Sequence, residues 1–337
     1  MRVLVTGGRG FIGSNLLKIM AGSCEIIVVD AETYAARPWL AEPKHFRYEK
    51  MDIRDQASVA KLMQKYRPDH VMHLAAESHV CRSISGPKDF VTTNVNGTFN
   101  LLQEFLNLHQ ADKAKRFLHV STDEVFGELK DSDPAFTEQS PMLPRSPYAA
   151  SKASSDALAL AYWHTYELPV IVTNCSNNYG VNQHPEKLIP KTIGHMLRGE
   201  PVTVYGSGTQ VRDWIHVEDH CTGLLQALAK GRLGERYLFG GACEMKNIEV
   251  IRIIDKVMNY KVPALPEVKI SYTFDRPHDD QRYAINFSKA NRELGWTPRE
   301  GSLEKNITAA VDWYIMSLGA KVEHKADRST DGEVKWV

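Results

Sequence analysis

The chain has 337 residues, of which 43% are apolar and 24% charged, the mixture of a soluble globular protein with room for one large core or a core plus a smaller cap. Lys+Arg and Asp+Glu both number 41, so no global field draws the protein to nucleic acid or to an acidic membrane surface. Any phosphate site must therefore be local.

In chain order, Val3–Thr6, Ile26–Asp30, Phe46–Lys50, His70–His73, Phe117–Ser121 and Val170–Asn174 read as strands. Helix formers fill the gaps at Asn15–Met20, Ala57–Lys65 and Thr98–Leu106. Near-continuous apolar strands alternating with helices predict a parallel sheet covered on both faces. After about Asn174 the pattern turns irregular, with proline loops at His184-Pro185 and Ala264–Pro266, which predicts a smaller, loop-rich cap. Residues from about Gly319 read as a polar tail. The first strand begins at Arg2 with no charged n-region or apolar signal before it, and no apolar run reaches transmembrane length, so a cytoplasmic protein is expected. The five cysteines, Cys24, Cys81, Cys175, Cys221 and Cys243, form no C-x-x-C pair and fit reduced thiols.

Gly7-Gly-Arg-Gly10-Phe-Ile-Gly13 follows the first strand at once and opens a helix. Gly7 permits the tight turn, Gly10 the approach of backbone to a pyrophosphate, and Gly13 close packing of helix on sheet. Free N–H groups and the positive dipole end of that helix suit phosphate. A generic βα turn is the plainer reading, but the second strand ends in Asp30, placed to accept the ribose hydroxyls of a dinucleotide. With Glu32 close by and no Arg or Lys between Val29 and Ala36, NAD is preferred over NADP. The fold class is then α/β, a Rossmann-type doubly wound parallel sheet with a smaller C-terminal substrate domain. The expected boundaries are 1–175 for the dinucleotide domain with a returning segment at about 211–241, 176–210 and 242–318 for the substrate domain, and 319–337 for the tail.

Two further clusters carry chemistry. Tyr148-Ala-Ala-Ser-Lys152 puts a phenol and an ammonium on one helix face at i, i+4. A lysine one turn away favours the phenolate of a tyrosine that ordinarily titrates near pH ~10; a solvated surface pair is the alternative. Ser121-Thr-Asp-Glu124 closes the fifth strand, at the sheet end where ligands meet catalytic side chains. Asp123 and Glu124 would face opposite ways on a regular strand, so the chain must leave strand geometry if both reach one substrate. A polar loop is the bland reading of this pair.

Ser121-Thr-Asp-Glu-Val-Phe-Gly127 resembles the S-T-D-E-V-Y-G signature of nucleotide-sugar 4,6-dehydratases of the extended short-chain dehydrogenase type. His73-Leu-Ala-Ala-Glu-Ser-His-Val80, Ser146-Pro-Tyr-Ala-Ala-Ser-Lys152, Asn174-Cys-Ser-Asn-Asn-Tyr-Gly180, Pro185-Glu-Lys-Leu-Ile-Pro190 and Arg212-Asp-Trp214 are similar to the members acting on dTDP-glucose, from Met1 to about Ser317. The resemblance implies that Tyr148 deprotonates the sugar 4-hydroxyl with Thr122 bonded to the same oxygen. It implies that Glu124 takes the proton from carbon 5 and Asp123 protonates the departing 6-hydroxyl, with Lys152 completing the catalytic set and NAD as a tightly held cofactor. Beside Gly7, Gly10, Gly13 and Asp30, it places Phe11, Ile12, Asp52, Ile53, Leu74, Ala75, Ala76 and Thr93 around the cofactor. It places Ser78, Asn177, Lys187, Leu188, Tyr205, Arg212, Asn247 and Arg276 around the nucleotide sugar, and it implies a homodimer through 87–108 and 147–167.

The chain departs from the family pattern at Phe126 and His216 (usually Tyr), at Cys81 (usually Asp), and at Asp275-Arg-Pro-His-Asp-Asp-Gln-Arg282, where D-R-P-G-H-D-R-R is usual. UDP-glucose or a UDP-amino sugar stays open as substrate. A nucleotide-sugar 4-epimerase would need Tyr148 and Lys152 but not the acidic pair, and a non-catalytic NAD-sensing module would need neither. His216 and His220 have the i, i+4 spacing of a helical metal pair but lack a third ligand, and a helix start on the sheet is the preferred reading. His73 and Cys175 read as core residues.

Overall fold

The computed structural model describes residues 1–41, 43–112, 115–263, 265–274, 280–300 and 303–326. β1 (Arg2–Thr6) turns into α1 (Phe11–Met20), followed by β2 (Glu25–Asp30), β3 (Arg47–Lys50), α2 (Gln56–Tyr66) and β4 (His70–His73). After α3 (Val80–Ser85), α4 (Pro87–Phe90) continues through a π-helical segment, Val91–Gly97, into α5 (Thr98–Asp112). β5 (Arg116–Thr122) ends in a one-turn 3-10 helix, Asp123–Phe126, ahead of α6 (Pro147–Tyr166) and β6 (Val170–Cys175). Then come β7 (Asn177–Tyr179), α7 (Leu188–Leu197), β8 (Val202–Tyr205), β9 (Val211–His216), α8 (Val217–Lys230), β10 (Arg236–Phe239) and β11 (Glu244–Lys246). α9 (Asn247–Lys261), β12 (Ile270–Thr273), α10 (Ser288–Leu294) and α11 (Leu303–Ala326) complete the chain.

Seven strands pair in the order β10-β6-β5-β4-β1-β2-β3, every ladder parallel. The alternation of β1 explains why both faces must be covered. Val3 and Val5 pack with Leu16 and Leu17 of α1 and Leu224 of α8, while Leu4 packs with Val59 of α2 and Phe105 of α5. Strand order reverses between β1 and β4, which opens a crevice at their carboxyl ends. The six expected strands are present. The seventh, β10, was legible only as part of a returning segment, because four buried residues beginning with Arg236 carry too little periodicity to identify a strand.

α1 begins at Phe11, four residues earlier than the helix formers mark it, because Gly13 lies inside the helix. A Cβ at Gly13 would fall 2.2 Å from the Gly7 carbonyl oxygen, so glycine sets the closeness of α1 to the turn. The cap is built on β11-β9-β7 and the β12-β8 pair. Its core joins Ile189 and Ile193 of α7, Val250 and Ile254 of α9, and Ile307, Val311 and Tyr314 of α11. α11 continues past Gly319 to Ala326, and residues 327–337 of the expected tail lie outside the described residues.

His73 and Cys175 are buried. His216 caps α8 by accepting the Glu218 N–H at 3.2 Å, and His220 Nδ1 lies 3.0 Å from Asn178 Oδ1, so both act inside a helix start packed on the sheet.

Gly13→Ala is expected to cost about 1–3 kcal/mol by forcing α1 away from the turn. A urea unfolding midpoint matching that of the unmodified protein would show that the helix moves freely.

Candidate active site

The crevice and the cap each contain a cavity. The first lies over the glycine turn and is lined by Gly7, Gly10, Asp30, Asp52, Ile53, Leu74, Ala75, Ala76 and Thr93. All nine were expected there from the sequence. Gly7 adopts φ +73°, and a Cβ would stand 2.7 Å from the Ala75 nitrogen, so β1 and the segment after β4 close on each other only with glycine. Gly10 is the N-cap of α1 and supplies no side-chain cap, which leaves the helix's first N–H groups for a ligand. Phe11, Ile12 and Gly13 form its first turn.

Asp30 ends β2, and its two carboxylate oxygens accept the N–H of Arg9 (2.9 Å) and of Glu32 (2.7 Å). Burial pushes its carboxyl above the ordinary range, partly offset by those two bonds. An uncapped helix end beside a buried carboxylate fits a dinucleotide's pyrophosphate and ribose. The π-helical segment carries Thr93 and Asn94. Asn94 donates to the Glu77 carbonyl (2.9 Å) and to Ser151 Oγ (2.9 Å) and accepts from the Glu77 N–H (2.8 Å), tying the groove wall to α6. Nothing in the residue pattern of 91–97 signals that π turn.

The larger cavity, about 450 Å³, lies between the sheet and the cap. Ser78, Asn177, Lys187, Leu188, Tyr205, Arg212 and Asn247 line it, as expected, and Glu124 opens onto it. Arg276 lies outside the described residues, as do His278 and Asp279. Lining residues that sequence reasoning missed include His79, Arg145, Glu186, Lys191, Asp280 and Tyr283. Arg145 pairs with Glu128 and stands 3.2 Å from Asp280, Tyr283 donates to Asp280, and Arg212 stacks 4.5 Å from the Tyr283 ring centre. Most of these contacts join segments far apart in the chain, so no local spacing could announce them.

Behind this wall lie Thr122, Asp123, Tyr148 and Lys152, all buried. The 3-10 turn resolves the geometry that a strand would forbid, since Asp123 and Glu124 leave the strand direction one after the other instead of facing opposite ways. Thr122 caps the turn with its Oγ 3.3 Å from both the Glu124 N–H and Asp123 Oδ1. Gly127 ends it at φ +86°, where a Cβ would meet the Leu143 carbonyl at 2.4 Å. Burial, then the charges of Glu124 and Asp213, pushes the Asp123 carboxyl well above its usual range, while Arg212 and Thr122 pull less strongly the other way. Asp123 Oδ2 is fully buried and accepts no hydrogen bond among the described residues. A carboxylic acid is the form that this environment favours.

Tyr148, on a helix capped from Ser146 and packed edge-on to Phe90 at 6.2 Å, shares an α6 face with Lys152. Burial, Glu124 and Cys175 drive the phenol up, and a hydrogen bond with Thr122 brings it down. Lys152 donates to the Val120 carbonyl at 2.9 Å, so its ammonium is bound to β5 as well as placed along the helix from the phenol. Burial lowers its pKa to about 8, with Asp156 and Cys175 pulling it back up.

Asp156 continues the Tyr148–Lys152 stripe at the next i+4 position. Fully buried, it lies 2.7 Å from Arg236 Nη1 of β10 and 3.0 Å from Asn174 Nδ2 of β6, and its other oxygen is 3.1 Å from His119 Nε2. Asn174 also donates to the Thr122 carbonyl at 2.8 Å. Sequence reading reached only Tyr148 and Lys152 of this stripe, and Arg236 comes from a strand that it did not isolate.

Residues 4–308 match a family profile described as GDP-mannose 4,6 dehydratase. A dTDP-glucose 4,6-dehydratase of Haemophilus influenzae is 47% identical over 334 residues, spanning 94% of this chain and 98% of that protein. One of Xanthomonas campestris is 48% identical over 326 residues, spanning 93% and 92%. Among solved structures, the dTDP-glucose 4,6-dehydratase DesIV of Streptomyces venezuelae, with NAD bound, superposes with a TM-score of 0.86 at 41% identity, covering 95% of this chain and 98% of that one. A UDP-glucose 4-epimerase of Thermotoga maritima superposes with a TM-score of 0.85 at 28% identity, covering 94% and 100%.

Arg236→Met leaves Asp156 buried without its main counter-charge and is expected to cost about 3–5 kcal/mol. Asp156→Asn combined with Arg236→Met should lose less than Arg236→Met alone. Urea denaturation of the three proteins checks the order, and equal losses would mean the pair is not coupled.

Proposed function

The chain belongs to the GDP-mannose 4,6 dehydratase family, together with its dTDP-glucose 4,6-dehydratase relatives, and from that premise we infer that it converts dTDP-glucose to dTDP-4-keto-6-deoxyglucose. The observation that carries this reading is the buried Asp123-Glu124 turn at the end of β5. An epimerase of nearly the same fold is among the structural relatives, so the fold alone does not choose between the two reactions. Epimerisation has no step that needs a protonated, buried carboxyl beside a second carboxyl, whereas elimination of water needs both an acid and a base.

NAD, which the glycine turn, Asp30 and the walls of the crevice would hold, would supply a hydride acceptor for carbon 4 and the donor that returns the hydride to carbon 6. Tyr148 takes the proton of the 4-hydroxyl, its phenolate favoured by the Thr122 hydrogen bond against the burial that otherwise keeps the phenol protonated, with Lys152 one helix turn along the same α6 face as the nearby cation. The resulting 4-ketone acidifies the carbon 5 proton, which Glu124, open to the cavity, removes. Asp123 gives its proton to the departing 6-hydroxyl, and water leaves. The ring carbon is then reprotonated, so the overall change is loss of one water.

Lys187, Lys191 and Arg212 line the cap cavity and suit a diphosphate, Arg212 through its planar guanidinium held by the Val211 carbonyl at 2.8 Å. Ser78, Leu188, Tyr205, Asn177 and Asn247 take the rest of the nucleotide sugar. We place the dinucleotide domain at 1–175 with 211–241 and the sugar-nucleotide domain at 176–210 with 242–318, with β9 (Val211–His216) at the start of the returning segment pairing into the cap sheet between β11 and β7. A homodimer through α5 and α6 is supported by exposed Val91, Phe99 and Tyr166 on or beside those helices. No described helix is long and apolar enough to cross a membrane.

Asp123→Asn should still oxidise carbon 4 but lose water at least about 100-fold more slowly, the usual contribution of a general acid. Single-turnover absorbance of the reduced cofactor, with mass spectrometry of the sugar, reads both steps. Dehydration at the unmodified rate would remove Asp123 from the role.

The Lys152 ammonium persists below about pH 8 and is lost as pH rises through that value. The rate of carbon 4 oxidation should therefore fall on the alkaline side near pH 8, well below where an ordinary lysine titrates. A single-turnover pH profile flat through that window would contradict a charged Lys152 in the step.

A further inference from the structure

Sequence spacing leaves the stretch after β2 without a cation, but the fold brings two there. Arg9, in the glycine turn, pairs through Nη1 with Glu32, and Lys50, the last residue of β3, reaches the other Glu32 oxygen at 2.9 Å. The Arg9 guanidinium is further held by the Arg37 carbonyl (3.1 Å from Nη2) and lies 5.1 Å from the Trp39 ring centre. Its own N–H fixes Asp30, the residue of the cofactor groove placed to meet the adenosine ribose. Glu32 sits at φ +53°, a left-handed conformation stabilised by donation of its N–H to Asp30. Lys50 first, with Tyr48 and Arg9, holds the Glu32 carboxyl down to about 2, so it stays charged at neutral pH.

Arg9, Lys50, Asp30 and Glu32 thus form a patch of two cations and two anions beside the ribose position. Without Glu32 the patch carries a net positive charge and two cations released from their shared carboxylate, the chemistry that receives a 2′-phosphate. We propose that Glu32 is a specificity-determining residue that excludes 2′-phosphorylated dinucleotides by occupying Arg9 and Lys50, the two cations that would otherwise bind the phosphate. The proposal rests on the dinucleotide reading of the crevice, and it assigns the choice of NAD to a second carboxylate beyond Asp30, acting through cations already in place.

The test measures dissociation constants of NAD and NADP by calorimetry for the full chain, for Glu32→Gln, and for Glu32→Gln combined with Arg9→Ala, with Lys50→Ala, or with both. Glu32→Gln is expected to tighten NADP binding about tenfold, the scale of one charge-assisted pair. NAD affinity should stay within about threefold, as for a surface substitution. Removing either cation in that background should return part of the gain, and removing both should return all of it. Glu32→Asn, whose side chain tolerates the left-handed backbone, gives the same readout should the glutamine variant fold poorly. Unchanged NADP affinity in Glu32→Gln, with NAD binding intact, overturns the proposal alone, as does a gain that survives loss of both cations. An unmodified protein that binds neither dinucleotide overturns the cofactor reading and this proposal with it.

Discussion

Asp156 is a fully buried carboxylate on α6, and its neutralisation by Arg236, 2.7 Å away, is the constraint on which both halves of the site rest. A lone carboxylate at that depth would be too costly to keep ionised. Together, Arg236 and Asn174 fix the helix face that also carries Tyr148 and Lys152. Through the same Asn174 amide, the Thr122 carbonyl is fixed, and with it the start of the acidic turn. Lys152 adds a second tie to β5 at the Val120 carbonyl. The phenol and the two carboxyls therefore come from different elements but share one rigid frame.

Within that frame, two adjacent acids stand in different environments. Asp123 is buried against Asp213 and Glu124, while Glu124, one residue on, opens onto the cavity. The 3-10 turn makes this separation possible, because in a strand the same pair would straddle the sheet. An epimerase shares nearly the whole architecture. The sheet, glycine turn and tyrosine helix are therefore common ground between the two reactions, and on the reading proposed above the turn at the end of β5 is what separates them.

Cofactor recognition shows a similar layering. In the proposed reading the glycine turn and uncapped α1 offer a pyrophosphate site, Asp30 stands where the ribose would lie, and Glu32 holds the two cations nearby. The layers sit at neighbouring strand ends along the same crevice, where the sheet reverses its order.

Much of this was written locally in the chain. Gly7, Gly10, Gly13, Asp30, the Tyr148–Lys152 spacing and Thr122-Asp-Glu124 each lie in turns, helix faces or strand ends that a few neighbouring residues dictate, so sequence alone carried the parallel sheet and the crevice over its glycine turn, and a family resemblance singled out the acidic pair. What it left undecided depends on long-range pairing. Arg236 meets Asp156, Arg145 meets Asp280, and Arg9 and Lys50 meet on Glu32 only after the chain has folded. Burial is a second property that no short stretch carries, and it sets the protonation of Asp123, Tyr148 and Lys152. Local chemistry nominated the candidate groups; charge compensation and desolvation, which exist only in the packed structure, decide the protonation states they hold.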